Sequence, residues 1–291
     1  MKSFEELVQM KSTKTIAVAC ANDPEVLEAI RQATELGLAR FLLVDTEENC
    51  AALPEFVSAS GACEVYPVKS THVAIREAVK AAGDGRADAL MKGHIDTASL
   101  LREVLRDDNG LKTGKTISHV AVFEFPEFDR LLFVTDAAMN IAPDLKQKKD
   151  ILVNAVAVAH RMGLHEPVVA PLSAVEVVNP AMPSSTDAAL LTMMYQRGQI
   201  KGCIVDGPLA FDNAISVASA KAKGITSDSA GQADILLVPN IEAGNVLYKS
   251  FMYFGRAKVG AVIEGAKVPI ILTSRADSAE SKLYSIALAS I

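Results

Sequence analysis

Apolar runs and amphipathic stretches alternate along the chain from residue 14 onwards. The first apolar run is TIAVAC, the amphipathic stretch NDPEVLEAIRQATELG follows it, and the second apolar run is ARFLLVD. Short continuous apolar runs are typical of buried strands, and apolar residues spaced three and four apart are typical of helices. Asp23 followed by Pro24 predicts the start of a helix, and Gly37 predicts its end. The segment is therefore a predicted β-α-β unit.

The same order of elements recurs later in the sequence. It is repeated at CEVYPV, THVAIREAVKAAGDG and ADALMKG, at GCIVDGPLAFDNAIS, and at ADILLVPNIEAGNVLYKSFMYFG. This repetition predicts an α/β fold in which helices cover both faces of a mainly parallel sheet. The Pro-rich segment VNPAMPSSTDAA predicts a loop that ends where Thr186 or Asp187 caps a helix.

The length of 291 residues predicts two domains. Between about residues 143 and 163, DLKQKKDILVNAVAVAHRMG has the pattern of a long helix that would carry the chain into the second domain. We expect the domain boundary near residue 140.

Composition narrows the class of protein. Half of the residues are hydrophobic and 22% are charged, which is enough to build a large core. Lysine and arginine number 29 against 35 acidic residues, and this net charge of −6 opposes binding to nucleic acid. No uncharged apolar run reaches the ~20 residues that cross a bilayer. Four widely spaced cysteines are typical of reduced thiols. We therefore expect a soluble, cytoplasmic protein without an export signal.

Several common motifs are missing from the sequence. The first predicted strand ends in ACANDPEV rather than G-x-G-x-x-G, and there is neither a P-loop nor a G-x-S-x-G segment. Standard dinucleotide, P-loop and α/β-hydrolase sites therefore lose their support. The histidines do not have the spacing of a zinc site, and we expect no metal.

Polar residues instead follow the ends of several predicted strands, which is where open α/β sheets bind ligands. One such strand end carries Lys92, Gly93 and His94, before a helix that Asp96 or Thr97 would cap, so that free N–H groups and a lysine could meet an anion. Other strand ends carry the residues Asp206, Gly207, Asp212, Asn240, Glu242, Gly244, Asn245, Lys249, Ser274, Arg275, Asp277 and Glu280.

Each of these residues also has a purely structural interpretation. Asp277 could cap the last helix with Glu280 in its first turn, Asp212 could cap another helix, and Lys92 could be a solvated surface charge. The glycines could serve tight turns alone. Their coincidence at several strand ends favours a ligand cleft.

Longer segments around these residues resemble the phosphate acyltransferases, and within them the phosphate butyryltransferase branch. The resemblance is carried by LMKGHIDTASLLREVL, TGKTISHVAVFE, DRLLFVTDAAMNIAPDLKQK, VNPAMPSSTDAALL, GQIKGCIVDGPLAFDNAIS, ADILLVPNIEAGNVLYKSFMYF and VPIILTSRADSAESKLYSIALA. These motifs run from about residue 86 to the end, and the N-terminal β-α-β unit is compatible with the same family.

The resemblance implies a reaction and a fold. The reaction is the reversible exchange of acyl-CoA and inorganic phosphate with acyl phosphate and CoA, with butyryl or branched short-chain groups favoured over acetyl. The implied fold is a two-domain, three-layer α/β/α fold like that of isocitrate and isopropylmalate dehydrogenases, with a cleft between the domains. The first domain would comprise residues 1–140 and 260–291, and the second residues 141–259. The family also implies a homodimer or a higher homo-oligomer, and no cofactor, since CoA is a substrate.

Within that reaction the S-R pair of LTSRADS would face the phosphate and the acyl group. Attack on the acyl carbonyl creates an oxyanion beside a charged phosphate, and one well-placed donor contributes on the order of 3 kcal/mol. The planar guanidinium of Arg275 can hold two phosphate oxygens at once. Ser274 would orient the phosphate or the carbonyl oxygen, because no base adjoins it in sequence to make it a nucleophile. We therefore expect direct transfer in a ternary complex.

The general base is left open by the sequence. In the acetyl branch of the family a carboxylate lies seven positions after the motif serine, and here that position is Ser281. Asp277 and Glu280 are the nearest alternatives, and Asp206 or Asp212 from the other domain could also serve. The resemblance further suggests substrate-binding roles for Lys92, Gly93, Thr97, Arg130, Asp206, Asp212, Asn240, Gly244 and Asn245.

Two other functions compete with acyl transfer. A metal-dependent decarboxylating dehydrogenase on the same fold would need converging aspartates, for which Asp206 and Asp212 are available. A sensor that keeps a CoA-binding cleft without chemistry is the other alternative, and the S-R pair argues against it. Specificity for acetyl groups is an alternative within the family.

Overall fold

A computed structural model describes residues 3–274 and 277–291 of the chain. Two compact units are present. The first unit contains Ser3–Lys115 and Val259–Ile291, and the second unit contains Thr116–Lys258. The chain enters the second unit at residue 116, earlier than the domain boundary that we expected near residue 140. The reason is that the two strands before residue 140 pair with each other and with a strand near residue 235. The domain limits themselves stay a prediction.

The first unit is built on a mainly parallel sheet. Its strands are β1 (Thr15–Ala19), β2 (Arg40–Thr46), β3 (Cys63–Val68), β4 (Ala89–Lys92), β10 (Lys258–Glu264) and β11 (Ile270–Ile271). Their order is β3-β2-β1-β4-β11-β10. All neighbouring pairs are parallel except β10 and β11, which are antiparallel. The chain runs from β1 to β2 and β3 on one side and then crosses to β4 on the other side of β1. This reversal makes the junction of β1 and β4 a topological switch point.

Helices connect and cover these strands. They are α1 (Phe4–Val8), α2 (Pro24–Leu36), α3 (Glu47–Ala51), α4 (Glu55–Ala59), α5 (Thr71–Gly83), α6 (Thr97–Val104) and α12 (Ala279–Ser290), with a 3₁₀ turn at Asp107–Asn109. The crossover through α2 runs from β1 to β2 and that through α5 runs from β3 to β4, in opposite directions along the sheet. Right-handed crossovers in opposite directions place their helices on opposite faces. Helix α12 packs against α2.

The predicted limits of α2 are confirmed. Asp23 caps the helix by accepting a hydrogen bond from the Val26 N–H at 3.0 Å, and Pro24 is its first residue. Gly37 ends the helix with a φ of 69°, a left-handed conformation that favours glycine. The face carrying Val26, Ile30 and Ala33 is buried.

The second unit contains shorter parallel strands and a hairpin. Its elements are β5 (Ser118–Glu124), β6 (Leu132–Thr135), α7 (Leu145–Arg161), β7 (Val168–Pro171), α8 (Pro183–Gln196), β8 (Ile204–Val205), α9 (Phe211–Ile215), α10 (Val217–Ala222), β9 (Ile235–Leu237) and α11 (Ile241–Tyr253). The strand order is β5-β6-β9-β7-β8. The β5 and β6 strands are antiparallel, and the other neighbouring pairs are parallel.

The predicted start of α8 is wrong. The helix begins at Pro183, after Met182, and neither Thr186 nor Asp187 is its cap. Proline suits the first turn of a helix because its missing N–H would have no partner there. Asp187 instead accepts a hydrogen bond from the ammonium of Lys148 at 2.6 Å, which joins α8 to the predicted long helix α7. Among the described residues, no helix is both long and apolar enough to span a bilayer.

Candidate functional site

The carboxyl ends of β1, β4 and β11 lie at one edge of the first unit's sheet. Ala19 in β1 is in register with Lys92 in β4, and Met91 in β4 is in register with Ile271 in β11. Both pairs are parallel, so the residues that follow the three strands emerge side by side. This edge includes the switch point between β1 and β4, where open α/β sheets form their ligand crevice. It carries four of the predicted residues, namely Lys92, Gly93, Ser274 and Asp277.

Gly93 allows the two central strands to approach each other closely. A Cβ on Gly93 would lie 1.9 Å from the carbonyl oxygen of Cys20. Glycine is thus required at this position by space rather than by φ. The Gly93 N–H donates to the Ala19 oxygen at 2.9 Å, and the His94 N–H donates to the Cys20 oxygen at 2.7 Å. These bonds extend the pairing of β1 and β4 beyond the strand ends.

Lys92 is a buried ammonium, and the prediction of a solvated surface charge does not apply to it. It is 5% exposed and donates to the main-chain oxygens of Gly93 and Ile95 at 3.2 and 3.1 Å. A buried ammonium needs such partners because its desolvation is costly. Lys92 therefore brings a positive charge to the strand end and is anchored to the loop that follows it.

Three helices begin directly after these strands, and their N-caps differ in charge. Asp23 caps α2, Asp96 caps α6 with Thr97 as its exposed first residue, and Ser278 caps α12. Asp277 is therefore not the cap of the last helix. Each N-terminus carries a partial positive charge, which an aspartate cap offsets and a serine cap does not. The Ser278 cap itself adds no charge at α12, although Asp277 precedes it and Glu280 lies in the first turn of the helix.

Ser274 and Asp277 are joined into a turn after β11. The Ser274 N–H donates to Oδ2 of Asp277 at 2.7 Å, and the Asp277 N–H donates to the Ser274 oxygen at 3.2 Å. Lys282, which is only 2% exposed on α12, donates from Nζ to the Asp277 oxygen and, at 3.4 Å, to the Ser274 oxygen. The turn is thus held by a carboxylate and a buried ammonium. Arg275, the predicted oxyanion donor, lies outside the described residues.

Glu280 follows in the first turn of α12, as expected. It is exposed and accepts a hydrogen bond from the Tyr284 hydroxyl at 2.8 Å, one turn further along the helix. Its carboxylate is therefore directed along α12 by a neighbour on that helix.

The sequence analysis gave no role to the pair formed by Asp23 and His94. Nδ1 of His94 lies 3.3 Å from Oδ2 of Asp23, and the histidine side chain is 60% exposed. Burial acts to raise the pKa of Asp23, but the Val26 N–H, His94 and the Lys282 ammonium outweigh it and lower that pKa. Asp23 is therefore a carboxylate shared by a helix cap, an imidazole and an ammonium. The sequence signal was the position of both residues just after neighbouring strands.

The second unit holds the other predicted residues at its own strand ends. Asp206 follows β8 and accepts hydrogen bonds from the hydroxyls of Ser227 and Ser229 at 2.6 and 2.7 Å. Asp212 is exposed in α9, where Ala210 is the N-cap, so its predicted capping role is wrong. A hydrogen bond from Lys223 lowers the pKa of Asp212. Asp212 is therefore a weaker base than an ordinary aspartate.

The start of α11 carries three more of the predicted residues, namely the cap Asn240 and, within the helix, Gly244 and Asn245. Asn240 caps the helix by accepting from the Ala243 N–H at 3.0 Å. A Cβ on Gly244 would lie 2.8 Å from the Asp136 oxygen, so this glycine lets α11 pack against the loop after β6. Asn245 is exposed. The cap and the packing glycine thus have structural tasks, and their binding roles stay predictions.

Arg130 is engaged within the second unit. Its guanidinium donates to the Ala233 oxygen at 3.2 Å and lies 4.8 Å from the centre of the Phe128 ring. Burial raises the pKa of the nearby Asp234 carboxyl, and the positive charge of Arg130 opposes part of that rise. These contacts engage part of the guanidinium within the second unit, whereas its buried Nε has no hydrogen-bond partner among the described residues. The role of Arg130 in binding CoA stays a prediction.

The buried thiols are poor nucleophiles. All four cysteines are free, and Cys20 and Cys203 are buried. Burial, with a smaller effect of Asp45, raises the pKa of Cys20 to about 12. Burial, with a smaller effect of Glu166, raises the pKa of Cys203 to about 11. Because the thiolate is the nucleophilic form, neither side chain is set up to accept an acyl group.

Comparison with known proteins identifies relatives over the full length of the chain. The family described as "Phosphate acetyl/butaryl transferase" matches residues 69–290. The chain is 55% identical over 289 residues to a "Probable phosphate butyryltransferase" of Bacillus subtilis, covering 99% of this chain and 96% of the relative. It is 49% identical over 295 residues to a "Phosphate butyryltransferase" of Clostridium acetobutylicum, covering 100% of this chain and 98% of the relative.

Solved structures give the same result. The fold is similar to a branched-chain phosphotransacylase from Enterococcus faecalis, with a TM-score of 0.86, 39% identity and coverage of 95% of this chain and 98% of the other. A 4-hydroxythreonine-4-phosphate dehydrogenase from Klebsiella pneumoniae has a TM-score of 0.56 at 13% identity, covering 96% of this chain and 98% of the other, which shows the fold alone. The predicted dehydrogenase-like α/β fold is confirmed.

Proposed function

The chain belongs to the phosphate acetyl/butaryl transferase family and is a phosphate acyltransferase, and we propose that it transfers butyryl or branched short-chain acyl groups. The proposed reaction joins acyl-CoA and inorganic phosphate to give acyl phosphate and CoA, and it is reversible. The relatives named as butyryltransferases and the branched-chain phosphotransacylase support this choice of acyl group.

The observation that carries the proposed site is the turn between Ser274 and Asp277. The turn follows β11, next to the buried ammonium of Lys92 and the neutral cap of α12. Two buried lysines and a helix N-terminus favour a phosphate at this edge. In the proposed mechanism Ser274 orients the phosphate or the carbonyl oxygen, and Arg275 balances the developing oxyanion. Thr97 and Gly93 belong to the same edge through α6 and β4.

We propose that the acyl group passes directly between CoA and phosphate in a ternary complex. A covalent route would need an activated nucleophile. Cys203 is a poor one because burial raises its pKa to about 11. The high pKa of this thiol supports direct transfer.

Steady-state kinetics test the order of events. Initial rates of thiol release are measured while butyryl-CoA and phosphate are varied against each other. A ternary complex gives intersecting double-reciprocal lines, and a covalent intermediate gives parallel ones. Mass spectrometry of protein incubated with butyryl-CoA alone is the second measurement. A stable acyl group on Ser274 or Cys203 would overturn direct transfer.

A panel of acyl-CoA substrates tests the acyl preference. We expect kcat/KM to be higher for butyryl-, isobutyryl- and isovaleryl-CoA than for acetyl-CoA. Butyryl has two more methylenes than acetyl, and each contributes ~1 to 3 kcal/mol of discrimination, so the difference should be at least about thirtyfold. A higher value for acetyl-CoA would assign the chain to acetyl transfer instead.

The assembly and the compartment are also proposals. We propose a homodimer in the cytoplasm, with CoA and phosphate as substrates and no cofactor. The free cysteines fit a reducing compartment. Sedimentation analysis of the purified protein tests the dimer, and full activity in EDTA after desalting tests the absence of a cofactor.

A further inference from the structure

The proposed reaction needs a proton acceptor that the family-based expectation does not supply. In the thiolysis direction CoA enters as a thiol, whose pKa is near 8.5 if it resembles cysteine, and must lose its proton to attack. The position where a carboxylate is expected is Ser281, whose main-chain N–H donates to the α12 cap. The Asp277 carboxylate accepts a hydrogen bond from the Ser274 N–H, and the Glu280 carboxylate accepts one from the Tyr284 hydroxyl.

We propose that His94 is the general base for the CoA thiol and that Asp23 is the residue that positions it. This inference rests on the proposed function, because it assigns a role within the same acyl-transfer site. His94 lies directly after Lys92 and Gly93, at the switch point between β1 and β4. Its side chain is 60% exposed, so that a substrate can reach it.

The contact with Asp23 determines which ring nitrogen is available. Oδ2 of Asp23 lies 3.3 Å from Nδ1 of His94. An ionised carboxylate only accepts hydrogen bonds, so the contact favours the hydrogen on Nδ1 and leaves the lone pair on Nε2. The lowered pKa of Asp23 supports the ionised form. Nε2 is then the base.

Lys282 lies close to both the Asp23–His94 pair and the Ser274 turn. The buried ammonium of Lys282 acts electrostatically on Asp23 and donates hydrogen bonds to the main-chain oxygens of Asp277 and Ser274. One charged side chain therefore contacts the turn and stabilises the carboxylate that orients His94. The charged residues that flank His94 in sequence are Lys92 on β4 and the α6 cap Asp96.

The proton balance follows directly. Nε2 of His94 takes the proton of the CoA thiol while the sulfur forms its bond to the acyl carbonyl carbon. The bond between that carbon and the phosphate oxygen then breaks, and the phosphate leaves with its electron pair. In the reverse direction the imidazolium returns the proton to the departing CoA thiolate.

The variant His94→Gln tests this role. We expect kcat in the thiolysis direction to fall by about 10²- to 10³-fold at pH 7, the range typical of a lost general base. The KM for CoA should change by less than about threefold, because a general base stabilises the transition state rather than bound CoA. His72→Gln is the matched control, since His72 is an exposed histidine on α5 of the same unit. It should keep wild-type rates.

The pH profile separates proton transfer from binding. Without the base, only thiol that is already ionised reacts, so the rate of His94→Gln should rise with pH up to the thiol pKa of about 8.5. Added imidazole should restore part of the activity of His94→Ala. Asp23→Asn keeps an N-cap but removes the charge, and we expect a smaller loss, of about tenfold, with the same change in pH profile.

The outcomes distinguish this inference from the proposed function. If the wild-type protein releases no thiol from butyryl-CoA with phosphate, the proposed function fails. If the wild type is active and His94→Gln retains kcat within about threefold at pH 7, only the role of His94 is overturned. An equal loss at every pH, without rescue by imidazole, would also overturn it, because a purely binding residue behaves in that way.

Discussion

At the residue scale, the close approach of the chain at the ends of β1 and β4 requires a glycine at position 93. Its main chain lies against the carbonyl of Cys20, and no side chain fits between them. The predicted anion-binding role of Gly93 is therefore secondary to a steric one, and both serve the same edge. Gly93 directly follows Lys92, the last residue of β4, and begins the loop that presents His94.

We predict that Gly93→Ala destabilises the protein by about 3 kcal/mol, because backbone has to move to admit the methyl group. The free energy of unfolding in urea measures this effect. Gly85→Ala is the control, since open space surrounds Gly85 and only its positive φ of 80° opposes the change, at a cost of about 1 kcal/mol. An equal cost for the two variants would contradict the steric argument.

Among the predicted catalytic residues, Arg275 has the role of balancing the oxyanion that forms during acyl transfer. We predict that Arg275→Ala lowers kcat by 10²- to 10³-fold, the effect of about 3 kcal/mol lost from the transition state. Arg275→Lys should recover little, because an ammonium cannot hold two phosphate oxygens in one plane. Thiol release from butyryl-CoA measures the rate.

The control for that prediction is Arg40→Ala, an exposed arginine at the amino end of β2, the opposite end of the strand from the site edge. The thermal midpoint of each variant shows whether it is folded. A folded Arg275→Ala protein with wild-type turnover would remove the guanidinium from the mechanism.

At the scale of elements, the three helices that begin at the site edge differ in the charge of their caps. The carboxylates of Asp23 and Asp96 offset the N-terminal charge of α2 and α6, whereas the hydroxyl of Ser278 leaves that of α12. Helix α12 also carries Lys282. Glu280 lies in the first turn of the same helix, so the cap is one of several charged or polar groups that set the potential beside the Ser274 turn.

We predict that Ser278→Asp raises the KM for phosphate about two- to fivefold at low ionic strength, the effect of 0.3–1 kcal/mol. Aspartate is as good an N-cap as serine, so the stability of α12 should hold. Ser278→Asn is the matched neutral variant and should leave the KM unchanged. If asparagine raises the KM as much as aspartate does, shape rather than charge is responsible.

At the scale of the whole molecule, buried thiols in both units connect stability to pH. The pKa of Cys20 is raised to about 12 and that of Cys203 to about 11, from an ordinary value of 9.0. A group whose folded pKa is raised stabilises the protein below its unfolded pKa, and this contribution is lost as the pH rises through the folded value.

We therefore predict that the free energy of unfolding in urea falls between about pH 9 and pH 12 because the unfolded thiols ionise first. Cys20→Ala and Cys203→Ala should each make the fall less steep. Below pH 8 each variant should differ from the wild type by a constant amount. A fall of unchanged steepness in both variants would assign the alkaline loss to other groups.

The local elements could largely be predicted from the sequence because their signals are local. The apolar run of β1, the cap at Asp23, the proline after it and the stop at Gly37 all act within a few residues. The start of α8 was mispredicted because Pro183 and Thr186 both precede the same apolar pattern, and Asp187 is committed to Lys148 on another helix. Competition between local signals was resolved by packing.

The sequence by itself determined the kind of fold, the strand ends at which polar residues gather and the family to which those residues belong. Only the tertiary structure decided which of them meet. Pairing of β1 with β4 and of β4 with β11 brings residues far apart in the chain to one edge. Lys282 thereby contacts the Ser274 turn from α12, and Asp23 contacts His94 across the ends of β1 and β4. Hydrogen bonds and charge interactions act over a few ångströms in space, and sequence distance does not measure that separation.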